Sequence, residues 1–286
     1  MATPICDGES VLVSVFNRRL QLSGAVVIAL VCLLAANAHA APMNFAGVAV
    51  SPGATVTANV PLSSIEQSYV AEGGNAIPPH AVAVLAVPPG FDPAKSWPVL
   101  VVLSTSDFNR QNRNDLVQFY RDSALAEGWV ILAGDGPATA KRDTAGWRAG
   151  TTLAALDALQ RSFPGAKNWP IACAGYSGGA KRVGTVAPLL AVAGYRLIGI
   201  YLTGINEDRL SEGYRQFKPG SAFLRTPIYL SSGQGDNVAR LSDQQQVRAS
   251  LTRTGFGNVR QEVFPEGHVV KRAHVREALR WFRGSR

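Results

Sequence analysis

From residue 80 onward, short apolar runs alternate with longer segments in which apolar residues recur every three or four positions. "HAVAVLAVPP" (80–89) reads as a first strand. "WPVLVVLST" (97–105) is continuously apolar at its centre, the pattern of a strand covered on both faces. "WVILAGDG" (129–136) and "WPIACAGYS" (169–177) repeat it, and "LIGIYLTG" (197–204), "TPIYLSSG" (226–233) and "VRQEVFPEG" (259–267) read as three more strands. Helix-spaced segments fall between and after them at 113–128, 146–163, 178–194, 237–255 and 269–284. The first ends at Gly128, the second stops before Pro164, and the third carries Pro188 as a point for a kink.

Strands alternating with helices predict an α/β fold, with a mostly parallel central sheet and helices on both faces. Parallel neighbours need long crossovers, and each gap is long enough to hold one. No repeat, low-complexity tract or linker interrupts residues 80–286, which read as one domain. Residues 41–79 contain a polar, Gly/Pro/Thr-bearing stretch, "MNFAGVAVSPGATVTANVPL", that forms either an edge strand or an extended arm. In such a sheet ligands bind at the carboxyl ends of the strands, so chemistry is sought just after each one.

Composition changes this picture little. Of 286 residues 47% are hydrophobic and 17% charged, which suffices for a sizeable core. The net charge of +8 is spread in short pairs, Lys141-Arg142, Lys181-Arg182 and Lys271-Arg272. No long basic run interleaved with aromatics appears, which argues against nucleic acid and for a solvated basic face.

The leader changes it more. Arg18 and Arg19 precede "LQLSGAVVIALVCLLAANAHAAP", and Ala38-His39-Ala40 is a small-x-small cleavage signal. Residues 1–40 therefore read as a signal peptide with a long leading region, cleaved after Ala40, for a secreted or periplasmic protein. The apolar core is short for a membrane span, and no stable span is expected after cleavage; an uncleaved anchor is the alternative. Cleavage removes Cys6 and Cys32, so no internal disulfide is expected, and Cys173 reads as a small buried hydrophobe. Four scattered histidines and one remaining cysteine give no metal spacing, and no phosphate-binding glycine fingerprint occurs. No metal or other cofactor is expected.

In "IACAGYSGGAKR" (171–182) a lone hydroxyl sits between glycines at the end of an apolar run. Ser177 is either a turn serine or a nucleophile presented by a sharp strand-to-helix bend. A serine nucleophile needs a base within hydrogen-bond reach, and that base needs an acid to fix its tautomer. Asp236 in "SSGQGDN" and His268 in "FPEGH" follow later strands, in the chain order serine, acid, base. Glu207 and Asp208 in "TGINEDRL" also follow a strand and compete as the acid, whereas Asp243 lies within a helical segment. His39 belongs to the leader, His80 precedes an early strand, and His274 lies inside the last helix.

Over residues 80–286 the chain resembles the α/β-hydrolase superfamily, in its esterase and polyhydroxyalkanoate-depolymerase-like part. The likeness rests on Gly175-Tyr176-Ser177-Gly178-Gly179, on Asp236 in "GQGDN", and on Gly267-His268 before the last helix. It implies Ser177 as nucleophile, Asp236 as acid, His268 as base, and the N–H of Gly178 as one oxyanion donor. The second donor of that family comes from the loop after an early central strand, often carrying His-Gly. Here the loop reads Ser104-Thr105-Ser106-Asp107, which lacks the glycine and places Ser106 at the donor position, with Thr105 beside it. The resemblance implies an exported serine hydrolase of small or polymeric carboxylic esters. The short segment between Gly204 and residue 226 leaves little room for a cap. A serine peptidase with the same triad, and a silent binding protein on the same fold, are the alternatives. Tyr176 and Trp147 are candidates for lining the pocket or for plain packing. The oligomeric state is not legible.

Overall fold

The continuous apolar runs become strands because both of their faces are covered. In the strand Val99–Leu103, the side chains of Val99, Val101 and Leu103 enter one core while Leu100 and Val102 enter another. The period-two alternation of a strand makes that division unavoidable. The computed structural model describes residues 43–105, 110–138 and 140–284; the leader read as a signal peptide lies outside them.

Ten strands are described: β1 (Asn44–Phe45), β2 (Val48–Ala49), β3 (Thr55–Val60), β4 (Ala81–Ala86), β5 (Val99–Leu103), β6 (Val130–Asp135), β7 (Ile171–Tyr176), β8 (Leu197–Thr203), β9 (Ile228–Gly233) and β10 (Val259–Phe264). β1 and β2 form a small antiparallel pair. The other eight form one sheet in the order β10-β9-β8-β7-β5-β6-β4-β3. β3–β4 and β4–β6 are antiparallel and the remaining pairings are parallel. The stretch that sequence left as edge strand or extended arm is thus an edge strand over Thr55–Val60, with Ala58 and Val60 turned into the core.

The helices are α1 (Ser64–Val70), α2 (residues 112–126), α3 (Ala145–Ser162), α4 (Gly178–Val192), α5 (Arg209–Phe217), α6 (Leu241–Thr254) and α7 (Arg272–Gly284). α3, α4 and α6 supply side chains to one core, and α2 and α7 to the other. Pro188 lies inside α4. α2 is interrupted by a π turn at Leu116–Tyr120, a feature enriched near functional sites.

Two helices had no sequence reading. α1 is short, but Ser63 and Glu66 close a reciprocal capping box at its start. α5 fills the segment after β8, capped by Asp208, whose carboxylate accepts from the N–H of Ser211 at 2.9 Å. Among the described residues no helix is long and apolar enough to cross a membrane.

Candidate active site

Ser177 stands alone between the last residue of β7 and the first of α4. Its φ of 57° and ψ of −123° lie where a side chain is strained, at a cost of about 1–3 kcal/mol. The chain must turn from strand to helix within one residue, and the flanking glycines allow it. A Cβ on Gly175 would lie 2.3 Å from the carbonyl oxygen of Gly179, and one on Gly179 would lie 2.2 Å from that of Leu103. The Ser177 N–H donates to the Thr203 carbonyl at 2.9 Å, which ties the bend to β8. α4 thereby starts directly after the serine, whose carbonyl accepts from the N–H groups of Ala180 at 3.0 Å and Lys181 at 3.4 Å.

The structure brings His268 and Asp236 to this hydroxyl. His268 Nε2 lies 2.9 Å from Ser177 Oγ, and His268 Nδ1 lies 2.7 Å from Asp236 Oδ2. Asp236 Oδ1 accepts from the N–H groups of Val238 and Ala239, both at 2.8 Å, which fixes the carboxylate and leaves Oδ2 for the imidazole. A carboxylate at Nδ1 selects the tautomer that donates there and keeps Nε2 free to accept from the serine. The Asp236 side chain is 1% exposed and that of His268 19%, so the carboxylate is sealed while the imidazole reaches solvent. Asp208 serves α5 instead, and Glu207 pairs with Lys181 and Arg209. His274 contacts Ser231, away from Ser177.

Gly178 is the first residue of α4, where its N–H has no partner within the helix. Ser106 lies outside the described residues. Its neighbour Thr105 sits against the elbow: a Cβ on Gly178 would lie 2.1 Å from Thr105 Oγ1.

A buried network that sequence reasoning missed grips the backbone at Thr105 and at Arg110. Arg148, 4% exposed on α3, donates from Nη2 to the carbonyls of Thr105 at 3.2 Å and Arg110 at 3.0 Å. Its Nη1 donates to Asn112 Oδ1 at 2.8 Å and Asp135 Oδ1 at 3.2 Å, and its Nε and Nη2 grip Asp143 at 2.8 and 2.5 Å. Asn112 in turn accepts from the Ser104 N–H at 2.7 Å. Burial raises the pKa of Asp135, opposed by Arg148 and by the N–H groups of Arg113 and Asn112. The available signals were an arginine among small and apolar residues in "GWRAGTTLAAL" and a carboxylate closing the apolar strand "VILAGD".

Trp147 is 7% exposed and packs in the core of α3, and Tyr176 contacts His268. Cys173 is wholly buried, and burial pushes its thiol up to about 12. It is therefore expected to resist iodoacetamide at neutral pH in the folded protein and to react only after denaturation. Peptide mass mapping checks this, and labelling of Cys173 in the native state would contradict it. Among the described residues no three His, Cys, Asp or Glu side chains cluster so as to hold a metal ion.

No protein-family model matches the chain, and no curated protein matches it. Solved structures do. Porphyromonas gingivalis dipeptidyl peptidase 4 aligns with a TM-score of 0.53 at 13% identity, over 82% of this chain and 36% of that one. A Pyrococcus furiosus esterase gives 0.51 at 15% identity, over 81% and 91%. An alpha-beta serine hydrolase homologue from Coxiella burnetii gives 0.50 at 15% identity, over 73% and 93%. The chain thus spans about a third of the length of the peptidase. The eight-stranded, mostly parallel sheet flanked by helices is the α/β-hydrolase fold.

Proposed function

We propose that this protein is an exported serine hydrolase that cleaves carboxylic esters. The observation that carries the reading is the continuous contact from Asp236 through His268 to Ser177 at the strand ends of this fold. Ser177 Oγ attacks the ester carbonyl as its proton passes to His268 Nε2, and Asp236 stabilises the imidazolium. The Gly178 N–H, together with the backbone N–H of Ser106, stabilises the negative charge on the carbonyl oxygen. The tetrahedral intermediate expels the alcohol, which takes the proton from Nε2, and leaves an acyl group on Ser177. Water then attacks that acyl group, with His268 as base, and releases the acid. Ester in preference to amide rests on the resemblance alone. Export rests on the leader sequence.

A fluorophosphonate probe is expected to label Ser177 in the full chain. p-Nitrophenyl esters of increasing acyl length are expected to turn over, and the corresponding p-nitroanilides to turn over far more slowly. Faster anilide turnover would move the assignment to a peptidase. Absence of both labelling and turnover would leave the binding-protein reading.

A further inference from the structure

We propose that Tyr176 is a positioning residue that holds the imidazole of His268 in line with Ser177, an assignment that rests on the hydrolase reading of these two residues. His268 lies in residues 265–271, which have no regular secondary structure. A general base on a loop must be anchored, because a misplacement of 1 Å can cost about 100-fold in rate. The loop's backbone is tied near its ends and only weakly around His268: the Gly235 N–H donates to the Glu266 carbonyl at 3.2 Å, the Val269 N–H to the Gly267 carbonyl at 3.0 Å, and the Val275 N–H to the Lys271 carbonyl at 3.2 Å. The Tyr176 hydroxyl donates to the carbonyl of His268 itself at 2.5 Å. Tyr176 is the last residue of β7, adjacent to Ser177. One hydrogen bond therefore ties the base to the strand that presents the nucleophile.

The ring is as constrained as the hydroxyl. It lies 4.8 Å from the imidazole, tilted by 41°, and Phe119 meets it edge-on at 5.4 Å. Phe119 belongs to the π turn of α2, and the guanidinium of Arg110 stands 5.3 Å over the Tyr176 ring while its charge pairs with buried Asp115. From Gly204, at φ 58°, a Cβ would reach within 2.8 Å of His268 Cε1 and 3.3 Å of Tyr176 Cε2. The imidazole is thus held between the tyrosine and a glycine whose bare backbone makes room for it. Burial raises the tyrosine pKa, so the hydroxyl remains a donor through the neutral range.

The isosteric variant Tyr176→Phe keeps the ring and deletes the donor. Hydrogen–deuterium exchange in residues 265–271 is expected to quicken about 5- to 10-fold, the loss of one net hydrogen bond. kcat for p-nitrophenyl acetate and the rate of fluorophosphonate labelling are expected to fall by a similar factor, with KM unchanged. Unchanged exchange in 265–271 would overturn the assignment whatever the activity does. A raised KM at unchanged kcat would overturn it too, since that marks a residue lining the acyl pocket. If the wild-type chain neither labels nor turns over, the hydrolase reading fails and the positioning role fails with it. The exchange measurement separates that case, because it reads the tie without needing activity.

Discussion

Ser177→Ala is expected to lower kcat by about 10^4- to 10^6-fold with its melting temperature close to that of the wild type. Alanine deletes the hydroxyl that faces His268 Nε2 at 2.9 Å but keeps a Cβ at φ 57°, so the elbow strain is unchanged. Ser177→Gly is expected to be as inactive and yet more stable than either. Glycine is at ease at this φ, and relief of about 1–3 kcal/mol of strain outweighs its greater chain entropy of about 0.5–1 kcal/mol. Thermal melts and p-nitrophenyl ester assays on the three proteins check both parts. If the alanine variant keeps more than about 1% of turnover, Ser177 is not the nucleophile. If the glycine variant is no more stable than the alanine variant, the elbow stores no strain. Asp236→Asn belongs to the same comparison and is expected to cost about 10^4-fold, because an amide at Nδ1 favours the wrong tautomer. Asp208→Asn is expected to stay within about threefold, since asparagine caps a helix as well as aspartate does.

The sheet was legible where a strand is buried on both faces, because no other element asks for an unbroken apolar run as short as Val99–Leu103. Ser177, Asp236 and His268 were legible for a related reason: each follows a strand, the first two a strand buried along its length and His268 the half-exposed edge strand β10, and the fold converges strand ends. The acid remained open in the sequence because Asp208 also follows a strand. Only the structure places Asp208 at the cap of α5 and Asp236 at the imidazole. α1 was illegible because seven residues carry too little periodicity, and its stability comes from a cap and from packing on α3. The π turn has no sequence period of its own. The contacts of Arg148 with Thr105, Asn112 and Asp135 join residues 43, 36 and 13 positions away, a pattern that no local rule reads.

That network carries the second large effect. Arg148→Met is expected to destabilise the protein by about 3–5 kcal/mol, a fall in Tm of about 6–20 °C for a domain of this size. Methionine fills much of the same space, so the loss is electrostatic. Asp135, 2% exposed, is left as a buried charge without its cation, and the carbonyls of Thr105 and Arg110 lose their donor. Arg148→Lys is expected to fall between the two, since three donors on one nitrogen cannot serve Asp143, Asp135, Asn112 and two carbonyls together. The pH dependence has a fixed sign. Burial already raises the Asp135 pKa above its unfolded value, and loss of the opposing guanidinium raises it further. A carboxyl with a raised folded pKa stabilises the fold when protonated, and that contribution is lost as pH rises through the folded pKa. The Tm gap between the variant and the wild type is therefore expected to narrow from pH 8 to pH 5. Asp135→Asn in the Arg148→Met background should recover part of the loss at pH 8 by removing the unpaired charge. A Tm within about 2 °C of wild type in Arg148→Met would show that the network contributes little to stability. A gap that widens on acidification would show that the charge left behind is not that of Asp135.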